Sequence, residues 1–275
     1  MHKKIFFLFA AFLFLQQTYA QQQLNLLDTV YYPRMTASLW GYVANGREYC
    51  LLGTNLGMTI IDVTNPNNCV NLQTVGNVAD SSEWHEIKTF SHYAYCTNES
   101  GGGLLIADLS NLPGTVTYQY FTDGGNLNTA HTLYIDENGI LYIFGSNEYT
   151  TGGVVLFDLN VSATNPPQIG YWDTRYIHDG FVRGDTLWAC EVYDGNLELL
   201  NVSNPSNITS MAIQQTPLAF THNCWPTHDN HYVFMDCSNC ISSNYLGIRT
   251  MVGCSYCGTG FWRDFITDHK ATRKS

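Results

Sequence analysis

Charge is scarce in this chain: Asp, Glu, Lys and Arg make up 13% of its 275 residues, and 12 basic residues face 23 acidic ones. So sparse and negative a surface repels phosphodiester backbones and anionic headgroups, which excludes nucleic acid and acidic membrane surfaces as partners. Helical periodicity is nearly missing after the first twenty residues, which excludes a helical bundle. No later apolar run approaches the length that spans a bilayer. A nucleophile motif is also lacking, and so is a phosphate-binding loop, because the Gly-Gly pairs sit at strand turns and not before helices.

At the N-terminus, Lys3 and Lys4 precede an apolar run from Ile5 to Leu15, and Thr18-Tyr19-Ala20 offers small residues for cleavage. Residues 1–20 thus read as an export signal, with the mature chain beginning at Gln21; an uncleaved anchor is the alternative. Removal of Lys3 and Lys4 leaves 10 basic against 23 acidic residues, a formal charge of −13. The expected location is secreted, periplasmic or cell-surface associated in a bacterium, with no transmembrane segment after cleavage. Aromatics reach 14%, which suits β-strands with aromatic faces or a surface that contacts glycans.

Four apolar runs end in Asp or Asn: Met58 to Asp62, Leu104 to Asp108, Val154 to Asp158 and Leu197 to Asn201. Their polar ends lie 46, 50 and 43 residues apart. Each run follows another strand-like segment, such as Tyr93 to Cys96 or Leu141 to Phe144, and an opening segment precedes both. The openings are Leu39 to Tyr42, Trp84 to Ile87, His131 to Tyr134, His178 to Phe181 and His222 to Trp225. Such a period with several short strands per unit predicts an all-β fold, a β-propeller of four-stranded blades with about four and a half blades present. Asp62, Asp108, Asp158 and Asn201 precede turn-rich stretches, where short polar side chains bond nearby amides; their role is structural. Cys50, Cys96 and Cys190 fall within second strands and read as small buried apolar residues.

The serial agreement from about Leu39 to Phe234 resembles the LVIVD-repeat proteins and, within them, the secreted choice-of-anchor B family. The stretches that carry the resemblance are Leu39 to Val43, Gly57 to Pro66, Trp84 to Ser110, Ala130 to Asp136, Tyr176 to Asp179 and Thr221 to Trp225. It implies an exported bacterial propeller, often with a variable C-terminal anchoring module, and no established reaction. The chain divides into a signal (1–20), a lead-in (21–38), propeller repeats (39–234) and a divergent Cys-rich tail (235–275). The repeat motif does not return in that tail, which has the texture of a shifted reading frame or a truncated gene.

His131, His178 and His222 start three successive opening strands, 47 and 44 residues apart. First strands line a propeller's channel, so three imidazoles are expected to converge on one funnel, where they can bind a divalent metal ion. His85 or Glu86 occupies the corresponding place one blade earlier, and Asp179 can supply an oxygen ligand. With an open coordination position such a metal activates water for hydrolysis, with Glu191 as candidate general base. The alternative is a hydrogen-bonded ring of histidines that plugs the channel. His228, Asp229 and His231 lie in an expected exposed turn. In the tail, Cys237, Cys240, Cys254 and Cys257 form two CxxC pairs, open to zinc, to disulfides or to neither. Regular repetition without a catalytic set favours a binding or scaffold module for an extracellular protein, glycan or small ligand; a metal-dependent hydrolase is the alternative.

Overall fold

The computed structural model describes residues 25–32, 35–76, 82, 84–149, 151–216 and 219–236. The export signal, Cys237, Cys240, Cys254 and Cys257 lie outside them, as does all of the tail beyond Asp236. Among the described residues there are eighteen strands, two 3-10 turns and no α-helix.

Four antiparallel sheets follow one another, each a meander in chain order. The first joins β1 (Thr36–Ala44), β2 (Arg47–Thr54), β3 (Gly57–Asp62) and β4 (Val70–Val75), and the second β5 (Ile87–Phe90), β6 (Tyr93–Cys96), β7 (Leu104–Asp108) and β8 (Thr117–Phe121). The third holds β9 (Thr132–Ile135), β10 (Ile140–Phe144), β11 (Val154–Asp158) and β12 (Gln168–Trp172). The fourth holds β13 (Asp179–Arg183), β14 (Thr186–Glu191), β15 (Asn196–Asn201) and β16 (Thr209–Gln215), and a two-stranded sheet of β17 (Asn223–Pro226) and β18 (Val233–Asp236) follows. The expected β-propeller of four-stranded blades, with half a blade at the end, is the observed architecture.

Four apolar clusters lie between successive sheets, which is why the third strands are apolar on both faces. One joins Leu51 and Ile60 of the first blade to Ile87 and Leu105 of the second; the next joins Tyr95 and Ile106 to Leu133 and Phe157. Leu156 and Phe144 then meet Val182 and Leu200, and Leu199 and Phe181 meet Cys224 and Met235. Each such side chain contributes about 1.5–3 kcal/mol relative to exposure. Cys96 and Cys190 are buried as expected, whereas Cys50 is only half-buried, on the face of the first blade turned away from the second.

The polar residue after each third strand closes the same local turn. Carboxylate or amide oxygens of Asp62, Asp108, Asp158 and Asn201 accept from the backbone N–H two residues on, at 3.0, 2.9, 2.9 and 3.0 Å. Asp62 also pairs with Arg47. First strands stand side by side around a common axis, β1 next to β5, then β9, β13 and β17. Antiparallel pairing puts the start of each first strand and the turn between its second and third strands at one end of the ring.

Candidate functional site at the channel mouth

Strand register settles which residues are equivalent. Ile87, Leu133, Gly180 and Cys224 pair with Cys96, Ile143, Ala189 and Met235 and are all buried, so they mark one level of the ring. Two residues before each stands a histidine: His85, His131, His178 and His222. His85, not Glu86, therefore holds the position equivalent to the later three. It is buried, and its Nδ1 donates to Thr97 O at 2.6 Å; burial lowers its pKa below the usual imidazole value.

The remaining three form the expected row. Ring centroids of His131 and His178 are 4.0 Å apart, and those of His178 and His222 are 4.2 Å apart. Hydrogen bonds between neighbouring blades fix their backbones: Thr97 Oγ1 donates to His131 O at 3.0 Å, and Thr132 Oγ1 to His178 O at 2.7 Å. At Gly145 the chain passes so close that a Cβ would sit 2.8 Å from His131 Cβ and 2.9 Å from the Tyr176 hydroxyl. Its φ of +66° also favours glycine.

Hydrogen-bond direction determines where the protons are. A backbone carbonyl only accepts, so His178 Nδ1 carries a hydrogen and donates to His222 O at 2.9 Å. Burial, then the flanking His131 and His222, hold His178 neutral with a pKa down at about 3. Its Nε2 is accordingly an acceptor. His131 Nε2, 2.6 Å away, is then the donor, while His131 Nδ1 contacts Glu99 Oε1.

A separate polar band runs along the channel at the next position of the first strands. Glu86 pairs with Lys88, whose ammonium lies 4.5 Å from the centroid of the Trp40 ring. Asp179 accepts from the Asn223 amide and from Gly180 N. Burial first, then the Glu86 carboxylate, pushes its pKa up to about 7. Asp179 thus belongs to this band and not to the imidazole row. Glu191 is fully buried, accepts from Asn196 at 3.0 Å and faces Arg175 at 3.6 Å. Burial and the neighbouring Glu198, itself held by Arg175 at 2.6 Å, raise its pKa. Its contacts are with these residues and not with the imidazoles. His228, Asp229 and His231 occupy an exposed turn, with His231 Nδ1 2.8 Å from Asp229 Oδ2.

Five residues at the mouth escaped the sequence reading. Glu99 lies in the turn after β6, shaped by Asn98, whose amide donates to Gly101 O at 2.6 Å and accepts from Ser100 N at 2.9 Å. Trp84 precedes His85 and sits 6.3 Å from the His131 ring; Phe220 stacks 6.4 Å from His222. Tyr176 and Tyr193 pack at 4.7 Å. Their available signal was position: each falls just before a first strand or in a turn between second and third strands.

The row can act as a rigid polar floor to a ring-lined mouth. Among the described residues, no three His, Cys, Asp or Glu side chains are grouped so as to hold a metal ion. The His131 to His178 separation is that of a hydrogen bond; two nitrogens on one tetrahedral zinc, each about 2.0–2.1 Å from it, would stand farther apart. No helix among these residues is long and apolar enough to cross a membrane. Neither a family model nor a curated protein matches the sequence. Among solved structures, the chain is similar to a candidate 6-phosphogluconolactonase from Bacteroides fragilis, at 12% identity and a TM-score of 0.48 over 66% of this chain. The match spans 55% of that protein's length.

Proposed function

We propose that this protein is an exported propeller of the LVIVD-repeat, choice-of-anchor B kind that works as a binding module, holding its ligand at the channel mouth. One observation carries the reading: three blades place imidazoles 44 and 47 residues apart in sequence into a single ring-to-ring row. His131 and His178 are held by hydrogen bonds within the row, and the exposed Trp84 ring lies beside His131, an arrangement suited to holding a molecule with few ordering losses. Export is supported by the basic start and apolar run of residues 1–20, and sequencing of the mature N-terminus is expected to begin at Gln21.

The test is a thermal-shift screen of the full mature protein against chemically diverse small molecules and peptides. Ligands that stabilise the wild type and fail to stabilise the His131→Ala/His178→Ala variant support the reading. His178→Asn, which keeps a donor toward His222 O, controls for general loss of folding. Stabilising ligands that act equally on all variants place the binding surface elsewhere and overturn it.

The adjacency of three imidazoles favours a second reading, a metal-dependent hydrolase. His131, His178 and His222 would hold the ion after a small separation of the first two, and a bound metal would lower the pKa of a water for attack on an ester, lactone or phosphate. Zinc, manganese or calcium bound stoichiometrically by the wild type and lost in the double variant supports that reading; absence of bound metal after equilibration with each removes it.

A further inference from the structure

Each blade turns one face toward the blade before it and the other toward the blade after it. Register fixes the residues of the first kind: Ile87 with Cys96, Leu133 with Ile143 and Gly180 with Ala189 are buried against the preceding blade. Leu39 with Leu52 holds the same place in the first blade, yet Leu39 is 64% exposed and Leu52 half-buried. On faces of the second kind, Leu51, Tyr95, Tyr142 and Trp188 of the second strands are buried against the following blade. Phe234 holds that place on β18 and is only half-buried. Its cross-strand partner Trp225 is 51% exposed, with its ring held edge-on by Phe181 at 4.7 Å. Among the described residues, therefore, two halves of one apolar seam stand unmatched.

The two halves also match in extent. Residues 25–32 cover the outer part of the first blade's open face: the Tyr32 hydroxyl donates to Thr54 Oγ1 at 3.3 Å, Asp28 Oδ2 accepts from Cys69 N at 2.6 Å beside β4, and Thr59 and Ile61 of β3 are buried. What stays open is the inner part, β1 and β2. The final sheet holds only β17 and β18 among the described residues, so its apolar face spans a first and a second strand and no more. Contiguous exposed apolar surface of this kind marks a place where another surface docks.

We infer that copies of this chain associate head to tail, the Trp225 and Phe234 face of one copy seating on the Leu39 and Leu52 face of another. The contact continues between chains the seam that each chain repeats four times within itself. The partner is a second copy because the surface that meets each Leu39-type position in this fold is of the Phe234 type, and the chain carries both. Such a contact is heterologous; it closes into a ring where the rotation between copies allows and extends otherwise. The inference stands apart from the ligand-binding reading of the channel mouth.

The experiment is sedimentation velocity of the full mature protein from about 1 to 100 μM in about 0.15 M salt, which screens repulsion between acidic copies. Species of two or more copies are expected. Leu39→Arg and Trp225→Arg each replace an exposed side chain and lower the negative charge, so neither opens a core nor adds repulsion. Each alone is expected to weaken association at least about tenfold. An equimolar mixture of the two variants keeps one intact seam, between the Phe234 face of the first and the Leu39 face of the second, and is expected to form one-to-one pairs and nothing larger. Those pairs also show that both variants are folded. A monomer throughout the range, as when residues of the same chain cover either face, overturns the inference. So does association that survives either variant, as when two Leu39 faces pair with each other, or a mixture that forms no pairs.

Discussion

The seams between blades and the rim of the channel are built from the same repeat, yet repetition does different work in each. In the seams, most copies perform the same task. Leu105 and Val155, at one level of the ring, are interchangeable in kind, since each needs only an apolar surface of fitting volume. At the rim, equivalent residues have unequal partners. His85 bonds Thr97 O, His131 joins Glu99 to His178, and His178 donates to His222 O. Apolar contact is non-directional, whereas a hydrogen bond assigns a donor and an acceptor, so a repeated histidine becomes an ordered series.

The largest expected effect tests the seam. Phe157→Ala, at a fully buried position, should destabilise the protein by about 3–5 kcal/mol, read from the denaturant midpoint. A loss below about 1 kcal/mol would break the distinction, since the seam would then be no tighter than the rim.

Next comes the rim's response to acid. In the unfolded chain His178 takes up a proton below about pH 6.5, but in the fold only near pH 3, so stability is present above 6.5 and lost as pH falls between these values. After discounting for partial exposure, the effect is on the order of 1–2 kcal/mol. Chemical denaturation of His178→Ala across pH 4 to 7 should show a flatter slope than the wild type; equal slopes would show that the row does not hold this ring neutral.

Asp179 has the opposite sign. Its folded pKa of about 7 lies above its unfolded value of 3.8, so burial of the carboxylate costs stability as pH rises through that window. Asp179→Asn should therefore gain about 1 kcal/mol at pH 8 and nothing at pH 3.5, compared by urea midpoints. The smallest effect belongs to the turns: Asp108→Ala removes one side-chain to backbone hydrogen bond and should cost about 0.5–1 kcal/mol, with no change in ligand binding at the mouth.

Much of this architecture was legible before any coordinates. The runs ending in Asp62, Asp108, Asp158 and Asn201 became third strands, and those four residues became turn acceptors, because both properties depend on neighbours one or two positions away. The convergence of His131, His178 and His222 was legible from their equal place in the repeat. His85 against Glu86 was not, since only strand register separates adjacent residues. Asp179 and Glu191 were grouped with the imidazoles for want of any sign of which way a side chain turns within its strand; one joins the band beneath the row and the other a buried cluster with Arg175.

The sequence by itself determined the strands, their number per unit, the turns between them and the approach of like positions to one axis, because alternation and short-range hydrogen bonds are written in consecutive residues. Only the tertiary structure decided that Glu99 meets His131, that His131 donates to His178, and that Trp84 sits beside the His131 ring. Those contacts join residues from different blades, and their direction depends on the placement of a neighbouring turn that no single repeat encodes.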